Sequence, residues 1–171
     1  KDFPFATGKY ITIEGSKIWA QRLSYVGELG WELYIPIKES KTIYNKIVKK
    51  IREKCGSEFA IVVRIDGHEY GLENGITVEE ASNTAVIAEK AGADAIHVSA
   101  ISSSGTGVGF TEGPLPWEKC QYSHLAKTVQ SAVGIPVIAV GRIEPEDGEK
   151  LIAENSCEFV AMGRQLLADP E

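Results

Sequence analysis

Hydrophobic and polar positions follow different patterns before and after about residue 57. Between residues 9 and 36, short apolar segments are separated by glycine-containing turns at residues 15–16 and 27–30, which predicts a three-stranded antiparallel meander. In residues 38–54, apolar side chains recur on one helical face among many lysines, and Gly56 follows. This segment is therefore predicted to be an amphipathic helix that ends in a glycine cap.

After residue 57, short apolar runs alternate with helical patterns four times. The predicted strands are residues 59–63, 95–99, 137–140 and 159–162, and the polar segments 66–75 and 102–117 are predicted to be loops. Thr77 and Glu80 form a capping box at the start of the first intervening helix, and Pro145 marks the start of a later one. Such alternation is typical of a parallel sheet.

The last two predicted strands each end in a glycine followed by an arginine. Gly141 and Arg142 follow one strand, and Gly163 and Arg164 follow the next. A glycine lets an anion approach the backbone closely, and an arginine offers a fork of donors to a phosphate. One such pair is compatible with an ordinary core strand, but two consecutive βα units of this kind resemble the phosphate-binding end of a TIM barrel.

We therefore predict an α/β fold in two parts. Residues 51–171 are predicted to form a half TIM barrel of four βα units, and residues 1–50 a short antiparallel β-meander followed by a helix. Four parallel strands leave two unpaired edges and an apolar inner face, so we also expect a homo-oligomer.

Composition and charge restrict the possible partners. The chain has 171 residues, is 43% hydrophobic and has a formal net charge of -6, which disfavours nucleic acid and a membrane surface as partners. Its three cysteines are widely spaced, so neither a metal site nor a disulfide framework is predicted, and the expected location is the reducing cytoplasm. The chain starts at Lys1 and has Met162 as its single methionine, which favours a fragment or a processed product.

Four segments from residue 62 onward carry a family resemblance. In order, they are VVRIDGHEY, GITVEEASNTAVIAEKAGADAIHVSA, IPVIAVGRI and FVAMGRQLLADPE. With their spacing, they make residues 47–171 resemble the Old Yellow Enzyme family of FMN-dependent NAD(P)H:flavin oxidoreductases, in the branch of 2,4-dienoyl-CoA reductase and trimethylamine dehydrogenase. The resemblance implies that the four strands are the fifth to eighth strands of that family's barrel.

The same resemblance implies FMN as the cofactor and assigns its contacts. Arg64 would lie near N1 and the C2 carbonyl of the flavin, where a fixed cation stabilises the anionic reduced ring. Gly141, Gly163 and Arg164 would bind the FMN phosphate, with Arg142 as a further candidate. The resemblance implies an FMN-dependent NAD(P)H oxidoreductase. The family's substrate-binding and proton-donating residues lie on the first four strands of a barrel of about 250 residues, so no catalytic residue is assigned.

The first segment resembles a different family. The stretch FPFATGKYITIEGSKIWAQRLSYVGELGWELYIP is similar to the folate-binding aminomethyltransferase fold of the glycine-cleavage T-protein and of dimethylglycine and sarcosine dehydrogenases. The match is carried by Arg22, Tyr25, Gly27, Glu28, Gly30 and Glu32. In that family a glutamate of the YxGExG segment contacts the pterin, which assigns folate binding to Glu28.

Two resemblances in one chain leave three functional hypotheses. The first is an FMN-binding fragment or chimera of an NAD(P)H:flavin oxidoreductase, with a small-molecule cofactor or phosphate as its partner. The second is a folate-binding, aminomethyltransferase-related protein, and the third is an inactive structural chimera. The junction is predicted to lie within the helix of residues 38–54, and a naturally fused family is the alternative to a chimera.

Overall fold

The computed structural model describes residues 3–22, 31–104, 108–110 and 118–169. By its internal contacts the chain divides into two units, Lys1–Lys50 and Ile51–Glu171. Within the described residues, no helix is both long enough and apolar enough to span a lipid bilayer.

The first unit contains an antiparallel sheet and most of a long helix. Strands β1 (Gly8–Ile13), β2 (Ser16–Gln21) and β3 (Glu32–Tyr34) pair in that order, and helix α1 covers Ile37–Cys55. Glu14 and Gly15, at φ of 51° and 82°, form the tight turn of the β1–β2 hairpin. Lys46 forms an ion pair of 2.8 Å with Glu14, so α1 is tied to this hairpin. The predicted meander and helix are confirmed, while residues 23–30, including Glu28, lie outside the described residues.

The second unit is built on a parallel sheet with the order β4-β5-β7-β8. Because the order follows the chain without a reversal, the units wind in one direction, as in a barrel. The α/β prediction of four βα units is therefore confirmed. In chain order the elements are β4 Val62–Tyr70, α2 Val78–Ala91, β5 Ala95–Ser104, β6 Val108–Phe110, α3 Ser123–Gln130, β7 Val137–Val140, α4 Pro145–Ala153, β8 Phe159–Ala161 and α5 Arg164–Ala168.

The local sequence determines where helix α2 begins and ends. The Thr77 hydroxyl accepts a hydrogen bond from the Glu80 backbone N–H at 3.3 Å, and the Glu80 carboxylate accepts one from the Thr77 backbone N–H at 2.9 Å. The predicted capping box is thus present and satisfies two backbone donors at the start of the helix. Gly92 ends the helix in a left-handed conformation with φ of 101°.

The parallel sheet has two different faces because successive side chains of a strand point to opposite sides. One face packs against helices. Val98 lies next to Gly67, close to Leu125 of α3, and Val160 lies next to Gly148 of α4. We call the other face the inner face; it carries Val62, Arg64, Asp66, His97, Ser99, Ile138, Val140, Phe159 and Ala161.

Two predicted loops are partly strands. Strand β4 continues to Tyr70 through a register shift between Asp66 and Glu69, so the predicted loop of residues 66–75 is wrong for its first five residues. Strand β5 continues to Ser104 and pairs antiparallel with β6, inside the predicted loop of residues 102–117. Both extensions are formed by backbone pairing, which does not require apolar side chains. The sequence therefore shows no hydrophobic pattern in these segments.

Candidate cofactor site

An open cavity of about 300 Å³ lies at the carboxyl ends of β7 and β8. Gly141, Arg142, Gly163 and Arg164 all line it, so the structure brings together the two Gly-Arg pairs of the sequence. Carboxyl ends of parallel strands meet at one edge of a sheet, which is where ligands bind in barrels. The arrangement therefore has the position expected of a barrel's ligand site.

Gly141 sets the turn that follows β7. Its φ is +122°, a conformation that L side chains rarely adopt, and a Cβ at this position would lie 3.1 Å from Cδ2 of Tyr122. Arg142 also has a positive φ of 47°, and Ile143 is buried, so the chain turns sharply at a fixed place. The turn puts the backbone of residues 141–142 on the cavity wall.

Gly163 leaves its side of the cavity open. No heavy atom lies within 4 Å of the Cβ that a larger residue would have, and φ is an ordinary −114°. Arg164, the first residue of α5, follows directly and is exposed. An anion could therefore approach the backbone here and meet a guanidinium group at the same place.

The acidic residue of the cavity wall is paired with a cation. The Glu144 carboxylate forms an ion pair with Lys119, and this hydrogen bond raises the pKa of the Lys119 ammonium. The negative charge of Glu144 is compensated by this pair, while two arginine side chains line the same cavity. An anionic ligand is electrostatically compatible with such a wall.

Arg64 lies on the inner face at β4. Its Nη2 donates a hydrogen bond of 3.1 Å to Oγ of Ser99, which is buried, and its backbone is in register with His97. Burial raises the pKa of Asp66, with a further contribution from Glu69 and an opposing one from Arg64. Burial, together with the Arg64 charge, lowers the pKa of His97. Both shifts favour the neutral forms of groups close to Arg64.

Two polar groups were given no functional role by the interpretation of the sequence, which favours a packed or hydrogen-bonded core position for His97. The Nε2 atom of His97 and the hydroxyl of Tyr122 are buried without a hydrogen-bond partner among the described residues. His97 follows the alternation that also directs Ser99 and Arg64 to the inner face, a signal that could have assigned it to this face. Tyr122 has no local signal, because its contact with Gly141 joins residues far apart in the chain.

Within the described ranges, no group of three or more histidine, cysteine, aspartate or glutamate side chains lies close enough to hold a metal ion.

Comparison with known proteins identifies both parts of the chain. Residues 43–171 match the NADH:flavin oxidoreductase / NADH oxidase family, and residues 1–70 match the GCVT N-terminal domain. The NADH oxidase of Thermoanaerobacter brockii is 39% identical over 133 residues, covering 74% of this chain and 19% of that protein. The metal reductase of Desulforamulus reducens is 35% identical over 132 residues, covering 74% of this chain and 18% of that protein.

A further relative and a solved structure agree with this division. Mitochondrial sarcosine dehydrogenase of Homo sapiens is 46% identical over 46 residues, covering 27% of this chain and 5% of that protein. A 2-naphthoyl-CoA reductase in complex with 2-naphthoyl-CoA has a TM-score of 0.65 at 23% identity, covering 79% of this chain and 20% of that one, which shows a common fold.

The chain spans about a fifth of the length of this NADH oxidase and of this metal reductase. Both resemblances predicted from the sequence are confirmed, one over most of the chain and the other over its first segment. The chain therefore belongs to the NADH:flavin oxidoreductase / NADH oxidase family.

Proposed function

We propose that the second unit is an FMN-binding half barrel that holds the cofactor's phosphate at the carboxyl ends of β7 and β8. The observation that supports this most strongly is the cavity where both Gly-Arg pairs meet. Membership of the NADH:flavin oxidoreductase family supports FMN as the cofactor, and the position of the cavity supports this location for its phosphate.

The residues of the cavity fit a phosphate group. The open space at Gly163 allows phosphate oxygens to reach the backbone, and Arg164 would add charge-assisted hydrogen bonds. Gly141 would contribute backbone contact from the opposite strand, and Arg142 a second guanidinium group. The Glu144–Lys119 ion pair reduces the repulsion that an uncompensated carboxylate would exert on the phosphate.

We assign Arg64 to the flavin ring. β4 lies two strands from β7, roughly 10 Å at the usual strand spacing, so a cofactor anchored at β7 and β8 would extend toward β4 along the carboxyl ends of the strands. FMN, when bound, supplies the group that accepts a hydride from NAD(P)H and passes it on. Arg64 would hold a fixed positive charge at the ring, and Ser99 orients its guanidinium group.

Cofactor binding is the role that we propose for the described residues themselves. Residue roles in hydride or proton transfer need a positioned substrate and a proton donor, and no described residue is assigned to either. We propose NAD(P)H-dependent turnover for an assembly in which the remaining strands of a barrel complete the site.

We also infer that the chain is a chimera of the two families and that the junction lies in α1. The two family matches overlap at residues 43–70, and α1 is divided between the units after Lys50. Lys46 pairs with Glu14 of the first unit, whereas Arg52 pairs with Asp94 of the second. The alternative function, folate binding at Glu28, is supported by the match of residues 1–70.

Titration with FMN, followed by quenching of flavin fluorescence, tests the proposal. We expect the wild-type chain to bind, and Arg164→Ala to weaken binding by about 1.5–3 kcal/mol, the contribution of a charge-assisted hydrogen bond. Lys150→Ala is the matched control, because it removes an exposed cation of α4 outside the cavity. An unchanged affinity in Arg164→Ala would remove this residue from the site. Binding of tetrahydrofolate and not FMN would favour the alternative function.

A further inference from the structure

The parallel sheet ends in two strands that are paired on one side only. Within the described residues, β4 pairs only with β5, and β8 only with β7. Each of these edge strands therefore presents backbone donors and acceptors on its other side, although the Glu69 N–H of β4 already donates to the carbonyl of Ile76. Since all four strands are parallel, the two edges have the same direction and are suitable for pairing with each other. Four strands are too few to close on themselves, because the smallest packed barrels of this type have eight.

Exposed apolar residues are concentrated near the same two strands. Around β4 and β8, seven large apolar side chains are between 38% and 86% exposed: Phe59, Val62, Leu72, Ile76, Phe159, Leu166 and Leu167. Val62 and Phe159 are on the inner face of the two edge strands themselves and are 52% and 55% exposed. The described parts of the central elements β5, α3 and β7 contribute none of this group.

The amount of this surface is suitable for a stable interface. With about 100–150 Å² for each side chain, the exposed fractions add up to on the order of 500 Å² of apolar surface per copy. A stable interface of standard size buries roughly 800 Å² per partner. The remainder can come from the backbone edges and from the polar residues of the inner face. A monomer that exposes this much apolar surface on its two edge strands and in the segments next to them favours self-association.

We propose that two copies of this chain close one eight-stranded barrel, with β4 of each copy pairing with β8 of the other. A two-fold axis along the barrel axis keeps the direction of every strand, so both new pairs are parallel. The order β4-β5-β7-β8 then continues directly into the same order of the second copy. The two joints are identical, which closes the assembly at two copies and leaves no free edge in the barrel.

Light scattering on a size-exclusion column tests this with the full chain and without any ligand. The expected mass is twice the chain mass of 18.6 kDa. Phe159→Lys and Val62→Lys would each place a charge at a joint, and we expect either one to weaken the dimer at least tenfold. Ile152→Lys is the matched control: Ile152 is also apolar and is 46% exposed, but it lies on α4 and not on an edge strand. This variant should remain dimeric.

Each alternative outcome overturns a defined part of the proposal. A wild-type mass of one chain with a cooperative melt would mean that another part of the chain covers the inner face. Wild-type species larger than a dimer would show that the edges pair without closing. Dimers that persist in both Phe159→Lys and Val62→Lys would place the interface elsewhere. Because these measurements use no FMN, the dimer can be confirmed even if the proposed cofactor does not bind.

Discussion

Gly141 and Gly163 line the same cavity, but different physical reasons require glycine at the two positions. At Gly141, an L residue with φ of +122° is strained by about 1–3 kcal/mol. The new Cβ would also lie 3.1 Å from Tyr122, a side chain that is 2% exposed and stacks on Tyr70 at 6.0 Å, so the ring has little room to move. We expect Gly141→Ala to destabilise the protein by about 2–3 kcal/mol.

Gly163→Ala should leave stability almost unchanged. The backbone φ of −114° is suitable for alanine, and no heavy atom lies within 4 Å of the new methyl group. The free energy of unfolding should therefore change by no more than about 0.5 kcal/mol. The methyl group would occupy the open side of the cavity, where the phosphate is proposed to approach the backbone. Losing one such charge-assisted hydrogen bond corresponds to about 1.5–3 kcal/mol, or roughly a 10- to 150-fold weaker FMN affinity.

Thermal unfolding followed by circular dichroism separates the two effects. For a unit of this size, 1 kcal/mol corresponds to a shift in Tm of about 4 °C. Gly141→Ala should thus lower the Tm by about 8–12 °C, and Gly163→Ala by less than about 2 °C. Titration with FMN should show the weaker affinity in Gly163→Ala. Equal Tm values for the two variants would refute the role given to the backbone of Gly141, and an unchanged FMN affinity in Gly163→Ala would refute phosphate contact at that backbone.

Two further predictions concern the framework of the second unit. Gly67→Ala would place its Cβ 3.0 Å from Cβ of Leu125, in a close contact between β4 and α3. Urea denaturation should show that the free energy of unfolding falls by about 1–3 kcal/mol. A backbone N–H and Arg52 donate hydrogen bonds to the Asp94 carboxylate, and these bonds lower its pKa below the ordinary value of 3.8. Their contribution to stability is therefore present above pH 3.8 and is lost as the pH falls through the lowered pKa. Asp94→Asn should therefore show a smaller loss of stability than the wild type over this acidic range, with Tm against pH as the measurement.

Elements set by local chemistry could be predicted from the sequence. The capping box of Thr77 and Glu80 depends on a spacing of three residues, and the structure contains both of its hydrogen bonds. The strand of residues 137–140 was predicted with the observed bounds, because a short apolar run must be buried on both faces of a parallel sheet. The barrel order then follows from four repeats of the same unit.

Features set by distant contacts could not be predicted in the same way. Strand β4 extends to Tyr70 because its backbone pairs with β5, although its last residues are polar. The packing of Tyr122 against Gly141 joins the start of α3 to the end of β7, and neither residue's neighbours indicate it. The meeting of two Gly-Arg pairs in one cavity was expected only because parallel strands place their carboxyl ends together.

We expect dimer formation and FMN binding to be thermodynamically coupled through Arg64. This residue is exposed on the inner face of β4, and closing a barrel would remove water from its charge, which is unfavourable without an opposite charge nearby. Asp66 on the same face supplies an opposite charge that offsets part of this cost, although burial raises the pKa of its carboxyl. An anionic ligand bound at the carboxyl end of the barrel, near Arg64, would offset this cost. A ligand that binds the closed form more tightly must also stabilise that form. We therefore expect FMN to shift the dilution midpoint of dimer dissociation to a lower protein concentration, and Arg64→Ala to reduce that shift. If the dimer dissociation curve is the same in the presence and absence of saturating FMN, binding of the flavin ring and closure of the barrel are independent.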